Sequence, residues 1–390
     1  MLTKKYSYGK QCIDQSDIDA VVEVLKSDWM TQGPTVTKFE NELCKKFNTK
    51  YATVVSNGTA SLHLIAMGLG WKTGDIIITS PITFVASSNC ALYVGATPDF
   101  VDIDPVSYTI DINLLEDKIQ KYRKNGKNIK AVVGVDFAGH PCEWESLRYL
   151  ADKYDFQLVN DNCHALGAEY DGNFDYAAKY ADAVNFSFHP VKHITTGEGG
   201  AVLTNNLELN DKVKLLRTHG ITKDKSLLEK NDGPWYYEMH NLGYNYRITD
   251  FQCALGITQL KKLDYFVKKR RDIAKYYNER FENVKQFITP KVSKYARHAY
   301  HIYPLQVHFE MISLNRNEYF SKLKENGINC QVHYIPVHLQ PYYKKNYGFK
   351  VGDYPNAESF YSKEVSIPIY PSLEEEDLES ITDLLIKSLF

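Results

Sequence analysis

Residues 181–205 read ADAVNFSFHPVKHITTGEGGAVLTN: a short apolar run, then a polar connection punctuated by glycine that carries one lysine, Lys192. A run of this kind, bounded by turn residues, reads as a strand buried on both faces. Similar runs stand upstream: FQLVND at 156–161, IKAVVGVDF at 129–137, TPDFVDI at 97–103, DIIIT at 75–79 and YATVV at 51–55. Helix-like stretches separate them, opening at Gly58, near Phe84 and around Trp144 to Lys153. Strands alternating with helices predict a largely parallel sheet covered on both sides, an α/β domain over residues 11–256. A first amphipathic helix precedes it over 14–27, with Asp14 and Ser16 as caps and Ile18, Val21, Val22 and Leu25 at helical spacing.

Beyond Arg247, the stretch ITDFQCALGITQLKKLDYFVKKRRDIAKYYNERF has almost no Gly or Pro and predicts a long helix, bent or interrupted, leading out of that domain. Residues 257–390 then read as a smaller α+β domain. HAYHIYPLQVHF and INCQVHY are its expected strands, NEYFSKLKENG a helix closed by Gly327, and LEEEDLESITDLLIKSLF a final amphipathic helix. Residues 222–238, TKDKSLLEKNDGPWYYE, are polar, aromatic and turn-rich, which suggests an excursion near a ligand or a subunit boundary.

The 390 residues are 44% hydrophobic and 24% charged, as in folded globular chains, and the formal net charge is −2. Lys plus Arg total 46 against 48 for Asp plus Glu, so the chain as a whole has no electrostatic attraction for nucleic acid or anionic membrane. The start MLTKKYSYGKQ lacks an apolar leader segment and no window reaches a membrane-spanning length, so a cytoplasmic protein is expected. Seven scattered cysteines without a C-x-x-C pair disfavour disulfides and a zinc knuckle, and no metal is expected.

Lys192 lies on an irregular connection at a strand end, where open α/β sheets place ligands. A lysine that forms a Schiff base must be deprotonated, with a pKa well below the usual ~10.4. Asp161 closes the strand FQLVND, and an acid there suits pyridoxal phosphate, whose pyridine nitrogen needs a carboxylate to stay protonated. His164 could hydrogen-bond the cofactor's phenolic oxygen, although taken alone it reads more readily as a satisfied core or surface histidine. SNGTASLHLIAMGL at 56–69 opens a helix at Gly58 and Thr59, whose backbone N–H groups and hydroxyl suit a phosphate; it is also an ordinary turn and helix cap. SPITFVASSN offers Phe84 to stack on the ring.

Together SNGTASLHL, PITFVASSN, DNCHALGAEY and SFHPVKHITTGEGGAV, in this order, resemble the DegT/DnrJ/StrS-type sugar aminotransferases, fold type I pyridoxal phosphate enzymes that aminate nucleotide-linked ketosugars. The resemblance extends over nearly the whole chain, through YGKQCIDQSDIDAVVEVLKSDWMTQGP, LRTHGI, LGYNYRITDFQCALGITQLKKL and NCQVHYIPVHLQPYY. Within the family, TQGP and the QVHY-x-P segment look most like the branch that aminates a UDP-linked 4-keto-6-deoxy-N-acetylhexosamine on the way to pseudaminic acid.

That resemblance implies Lys192 as the Schiff-base lysine and Asp161 as the partner of the pyridine nitrogen. It also implies Ser187 as a phosphate ligand beside Gly58 and Thr59, Phe84 as the ring stack and His164 as the phenolate neighbour. It implies that Asn245 reaches the cofactor phosphate of a second chain, hence a homodimer with shared sites. Tyr8, Asp28, Trp29, Met30, Thr31, Gln331, Val332, His333 and Tyr334 match positions that contact the nucleotide sugar. The implied amino donor is L-glutamate, with Arg217 and Arg247 open as carboxylate clamps or as structural arginines. A related branch replaces the lysine by histidine and dehydrates its sugar; here Lys192 itself holds the position, with His193 beside it. The same mechanism on a perosamine, bacillosamine or 4-amino-arabinose precursor, or a cofactor-binding regulator without turnover, are the other readings.

Overall fold

The apolar runs become strands. The computed structural model describes residues 4–390. Its strands begin with β1 (Tyr6–Ser7), β2 (Tyr51–Val55), β3 (Ile76–Thr79), β4 (Thr97–Phe100), β5 (Ala131–Val135) and β6 (Gln157–Asp161). They continue with β7 (Glu169–Tyr170), β8 (Ala183–Ser187) and β9 (Gly200–Thr204). Seven of these form one sheet in the order β2-β9-β8-β6-β5-β3-β4. All its neighbouring pairs are parallel except those that β9 makes, with β2 and β8. Successive residues of the strands enter opposite cores: Ile78, Val132, Leu158 and Val184 pack on one face, Ile77, Val133, Val159 and Ala183 on the other. Neither face is left to solvent, which is why the runs are apolar without alternation.

The helices are α1 (Gln15–Leu25), α2 (Pro34–Phe47), α3 (Gly58–Gly68), α4 (Ala86–Tyr93), α5 (Ile112–Lys124), α6 (Trp144–Tyr154), α7 (Tyr176–Tyr180) and α8 (Leu207–Arg217). Phe39 and Leu43 of α2 join Trp144 and Leu147 of α6 on the first face, while Leu62 and Ile65 of α3 join Cys90 of α4 and Val213 of α8 on the second. Asp14 caps α1 as expected, in a reciprocal box with Asp17. The long helix is interrupted at Lys262, giving α9 (Asp250–Lys261) and α10 (Leu263–Phe281). Lys262 Nζ meets the buried Asp17 carboxylate at 2.6 Å, tying the break to α1.

A short antiparallel pair, β10 (Ile221–Thr222) and β11 (Glu238–Met239), closes the aromatic excursion, on which Trp235 is 70% exposed. The carboxy-terminal part adds β12 (Phe287–Ile288), β13 (Ala296–Arg297), β14 (Tyr303–Val307), β15 (Ile328–Asn329) and β16 (Glu364–Ile367). Strands β12, β14 and β16 form an antiparallel sheet. Its core is shared with α10, α11 (Arg316–Glu325) and α14 (Glu375–Lys387) through Tyr277, Leu323 and Ile381. Strand β1 pairs in parallel with β15.

Two expected strands are shorter than their sequences suggest. Only Tyr303–Val307 of HAYHIYPLQVHF is strand, because Arg270 Nη1 takes the carbonyls of Tyr300 and His301 at 3.2 and 3.0 Å and Tyr300 turns to φ 49°. Of INCQVHY only Ile328–Asn329 joins a strand, followed by a single bridge from Gln331 to Ser366. Conversely, GAVLT after Lys192 is β9, a strand the sequence reading left inside the connection. Among the described residues, no helix is long and apolar enough to cross a membrane, and no cluster of three metal-ligating side chains occurs.

Glu364 opens β16 fully buried; it accepts the His333 N–H at 2.9 Å and the Ser366 hydroxyl. Burial pushes its carboxyl up from 4.5 to about 8. The folded chain then keeps a proton that the unfolded chain releases between those values, so this residue's contribution to stability falls as pH rises through that window. Glu364→Gln is expected to gain on the order of 3 kcal/mol relative to the native chain between about pH 5 and pH 9. Urea titrations of both proteins at the two pH values check this; a difference that does not change with pH would refute it.

Candidate active site

The carboxyl ends of β6 and β8, the amino end of α3 and the turn before α4 open on one cavity of ≈ 900 Å³. That is large enough for a cofactor together with a substrate. Lys192, Asp161, His164, Ser187, Gly58, Thr59 and Phe84 all line it, as do Tyr8, His333 and Tyr334.

Asp161 ends β6, and every hydrogen bond it accepts comes from a neutral donor: Ser87 Oγ at 2.6 Å, Asn185 Nδ2 at 3.0 Å and the Cys163 N–H at 3.3 Å. Among the described residues it forms no salt bridge, so a ligand N–H⁺ would meet a carboxylate that is held in place and not neutralised. Ser87 in turn contacts Thr83 Oγ1 at 2.7 Å. Asn185, buried in β8, leaves its Oδ1 without a partner. Sequence reasoning missed Ser87 and Asn185; the asparagine inside the apolar run ADAVNF was the available signal.

Lys192 follows β8. Burial lowers its amine below the ordinary lysine range, while Cys163 and Asp161 pull it back up. Phe84 is 55% exposed, next to Tyr334 with ring centroids 6.1 Å apart, and thus presents a bare aromatic face. At the start of α3 the Asn57 side chain caps the Ala60 N–H at 2.8 Å and its carbonyl takes the Ser61 N–H. Gly58 and Thr59, at the positive helix end, are left on the cavity wall beside Ser187. The backbone is drawn in tightly: a Cβ at Gly58 would stand 2.9 Å from Ser187 Cβ, and one at Gly200 2.6 Å from the Asn57 carbonyl carbon. An anion cradle, a carboxylate awaiting a cation, a bare aromatic face and a desolvated lysine together fit pyridoxal phosphate.

The other expected residues are placed as follows. His164 Nδ1 accepts the Ala138 N–H at 3.3 Å and Nε2 meets the Tyr334 hydroxyl at 3.1 Å, so both nitrogens are engaged within the protein. Asn245 is exposed and pairs with Thr218; its neighbours Tyr244 and Tyr246 line the cavity, and in extended chain the residue between them points away. Asp28, Trp29, Met30 and Thr31 are exposed and do not reach the cavity of their own chain; the Asp250 N–H holds the Met30 carbonyl and Thr31 pairs with Thr249. Gln331 and Val332 do not line it either, because Gln331 is taken up by Ser366. Arg217 binds Glu40 and the Val54 carbonyl, both at 2.7 Å, and Arg247 borders a separate small cavity, so neither clamps a ligand in the main one.

Residues 11–386 match the DegT/DnrJ/EryC1/StrS aminotransferase family. The chain is 41% identical over 385 residues to a UDP-4-amino-4,6-dideoxy-N-acetyl-beta-L-altrosamine transaminase of Campylobacter jejuni, covering 98% of this chain and 97% of that one. Helicobacter pylori PseC, an aminotransferase of pseudoaminic acid biosynthesis, superposes with a TM-score of 0.90 at 34% identity over 99% of both chains. The PLP form of the putative sugar aminotransferase Spr1654 from Streptococcus pneumoniae follows with a TM-score of 0.88 at 29% identity, over 99% of this chain and 98% of its own. The chain therefore belongs to the DegT/DnrJ/EryC1/StrS family of pyridoxal phosphate-dependent aminotransferases.

Proposed function

We propose that the protein transfers the amino group of L-glutamate to the 4-keto carbon of a UDP-linked 4-keto-6-deoxy-N-acetylhexosamine. The observation that carries this reading is the desolvated Lys192 amine in the same cavity as the unneutralised Asp161. The sugar is supported by likeness to the altrosamine transaminase. When bound, pyridoxal phosphate supplies an electron sink for charge developing on the carbon next to nitrogen. Asp161 holds the pyridine N–H, and Gly58, Thr59 and Ser187 take the phosphate. Phe84 covers one ring face. His164 acts toward the phenolic oxygen through the Tyr334 hydroxyl, which it fixes. Lys192 moves the proton between the donor's α-carbon and the cofactor's exocyclic carbon. Tyr8 and His333, with ring centroids 5.1 Å apart on the cavity wall, form part of the sugar-nucleotide side. Incubation with glutamate and a panel of UDP-, GDP- and dTDP-4-keto-6-deoxy sugars, read by mass spectrometry, tests the substrate. Amination confined to GDP or dTDP sugars would overturn it.

The active protein in this reading is a homodimer. Asn245 and the segment from Asp28 to Thr31 face away from their own cavity and would serve the partner's. Mixing and refolding Lys192→Ala and Asn245→Ala chains is expected to restore activity, since each heterodimer has one site with both defects and one with neither. No recovery above the residual rate of Asn245→Ala, with heterodimers demonstrated, would mean that Lys192 and Asn245 act within one chain and would overturn the shared site.

A further inference from the structure

Among the described residues, the protein group that hydrogen-bonds Lys192 Nζ is His301 Nε2, at 3.4 Å. His301 is 2% exposed and is fixed at both backbone atoms: its N–H donates to the Ala138 carbonyl at 2.9 Å, and its carbonyl accepts from Arg270 at 3.0 Å. Its ring packs 4.3 Å from that of His164 and 5.7 Å from that of His193. The second ring nitrogen, Nδ1, is buried with no hydrogen-bond partner.

That orphaned nitrogen decides the tautomer. A proton on Nδ1 would be a buried N–H without an acceptor, which costs more than a buried lone pair without a donor. The neutral ring therefore carries its proton on Nε2, facing Nζ. The doubly protonated ring is disfavoured too, since burial, and then Lys192, His164, His193 and Arg270, push His301 well below the ordinary histidine range. A donor aimed at Nζ finds an acceptor only in the unprotonated amine, because an ammonium has none.

We propose that His301 is a positioning residue that donates its Nε2–H to the lone pair of the Lys192 amine, holding that amine in its basic form and aiming it into the cavity. Once Nζ takes up a proton the lone pair is gone, so the ammonium is disfavoured and its proton is passed on. Around the pair, Asp161 and Cys163 favour the ammonium, while His164, His193 and His333 are neutral by burial. The Tyr334 hydroxyl completes the wall, un-ionised. This inference rests on Lys192 as the proton-carrying amine but is measured without turnover.

The test uses the full-length chain freed of cofactor, following acetylation of Lys192 by acetic anhydride against pH with peptide mass spectrometry. His301→Phe keeps the site apolar and removes the donor; the labelling midpoint is expected to rise by about one pH unit. His301→Gln, whose amide N–H can donate, is expected to restore part of the shift. A midpoint unchanged or lowered in a folded His301→Phe chain would overturn the proposal, since removing a hydrogen-bond acceptor would lower it. Should His301→Phe not fold, ¹⁵N-histidine NMR of the unsubstituted chain decides: a proton on Nε2 supports the proposal, one on Nδ1 overturns it. Transamination surviving in Lys192→Ala would instead defeat the role of the lysine and leave these readings of the His301 contact intact.

Discussion

Lys192→Ala is expected to abolish multiple-turnover transamination, a loss of at least about 10⁴-fold, with folding and cofactor binding retained. The size follows from the number of tasks on one amine. In the proposed reading this amine would hold the cofactor, give way to the donor amine and carry the proton between two carbons. The histidines packed around it are poorly suited to replace it: burial pushes His301, His164 and His193 well below the ordinary histidine range. Alanine disturbs no regular element, because Lys192 stands on a connection outside α-helix and strand. The checks are loss of the visible absorption of the lysine-bound cofactor, an unchanged circular dichroism spectrum, and steady-state rates with glutamate. Sustained turnover by the variant would show that another amine does this work.

Asp161→Asn is expected to lower turnover by about 10²–10⁴-fold while cofactor binding stays measurable. The hydrogen bonds around this side chain explain why an isosteric change does so much harm. Asn185 Nδ2 and the Cys163 N–H both donate to Oδ1, so the amide oxygen of an asparagine would stay on that side. Its NH₂ would then replace Oδ2, toward Ser87. A donor there stabilises an unprotonated pyridine nitrogen, and the ring loses much of its electron-withdrawing power. Ser87 adapts by accepting from the amide, so the fold tolerates the change. The discriminating measurement is the rate of each half-reaction with the cofactor bound at saturation; near-native rates would assign the pyridine nitrogen to a different group.

The sheet was legible because its strands are buried on both faces, and burial writes itself as unbroken apolar runs such as AVVGV and QLVND. Strand β9 was hidden because GAVLT follows two glycines and looks like the tail of the loop that carries Lys192. The placement of Asp161, Ser187 and Gly58 on the cavity was legible for a related reason: they lie at strand and helix ends, whose positions follow from the runs themselves. His301 was not. It looks like a strand residue in HAYHIYPLQVHF, but Arg270, from a distant helix, takes the Tyr300 and His301 carbonyls while the Ala138 carbonyl takes the His301 N–H, and these contacts hold the segment inward. Asp28 to Thr31 matched the family pattern but do not reach the cavity of their own chain, which pattern alone does not reveal.

The parallel pairing of β1 with β15 sets a timetable for synthesis. Tyr6 and Ser7 leave the ribosome about 320 residues before their partners Ile328 and Asn329. Tyr8, whose carbonyl accepts the Ile369 N–H, waits longer still. The large sheet, complete at Thr204, can form well before this strap finds its place. The cavity wall that Tyr8 supplies is therefore fastened last, and a nascent chain can hold the lysine and the anion cradle in place before it can enclose a sugar nucleotide.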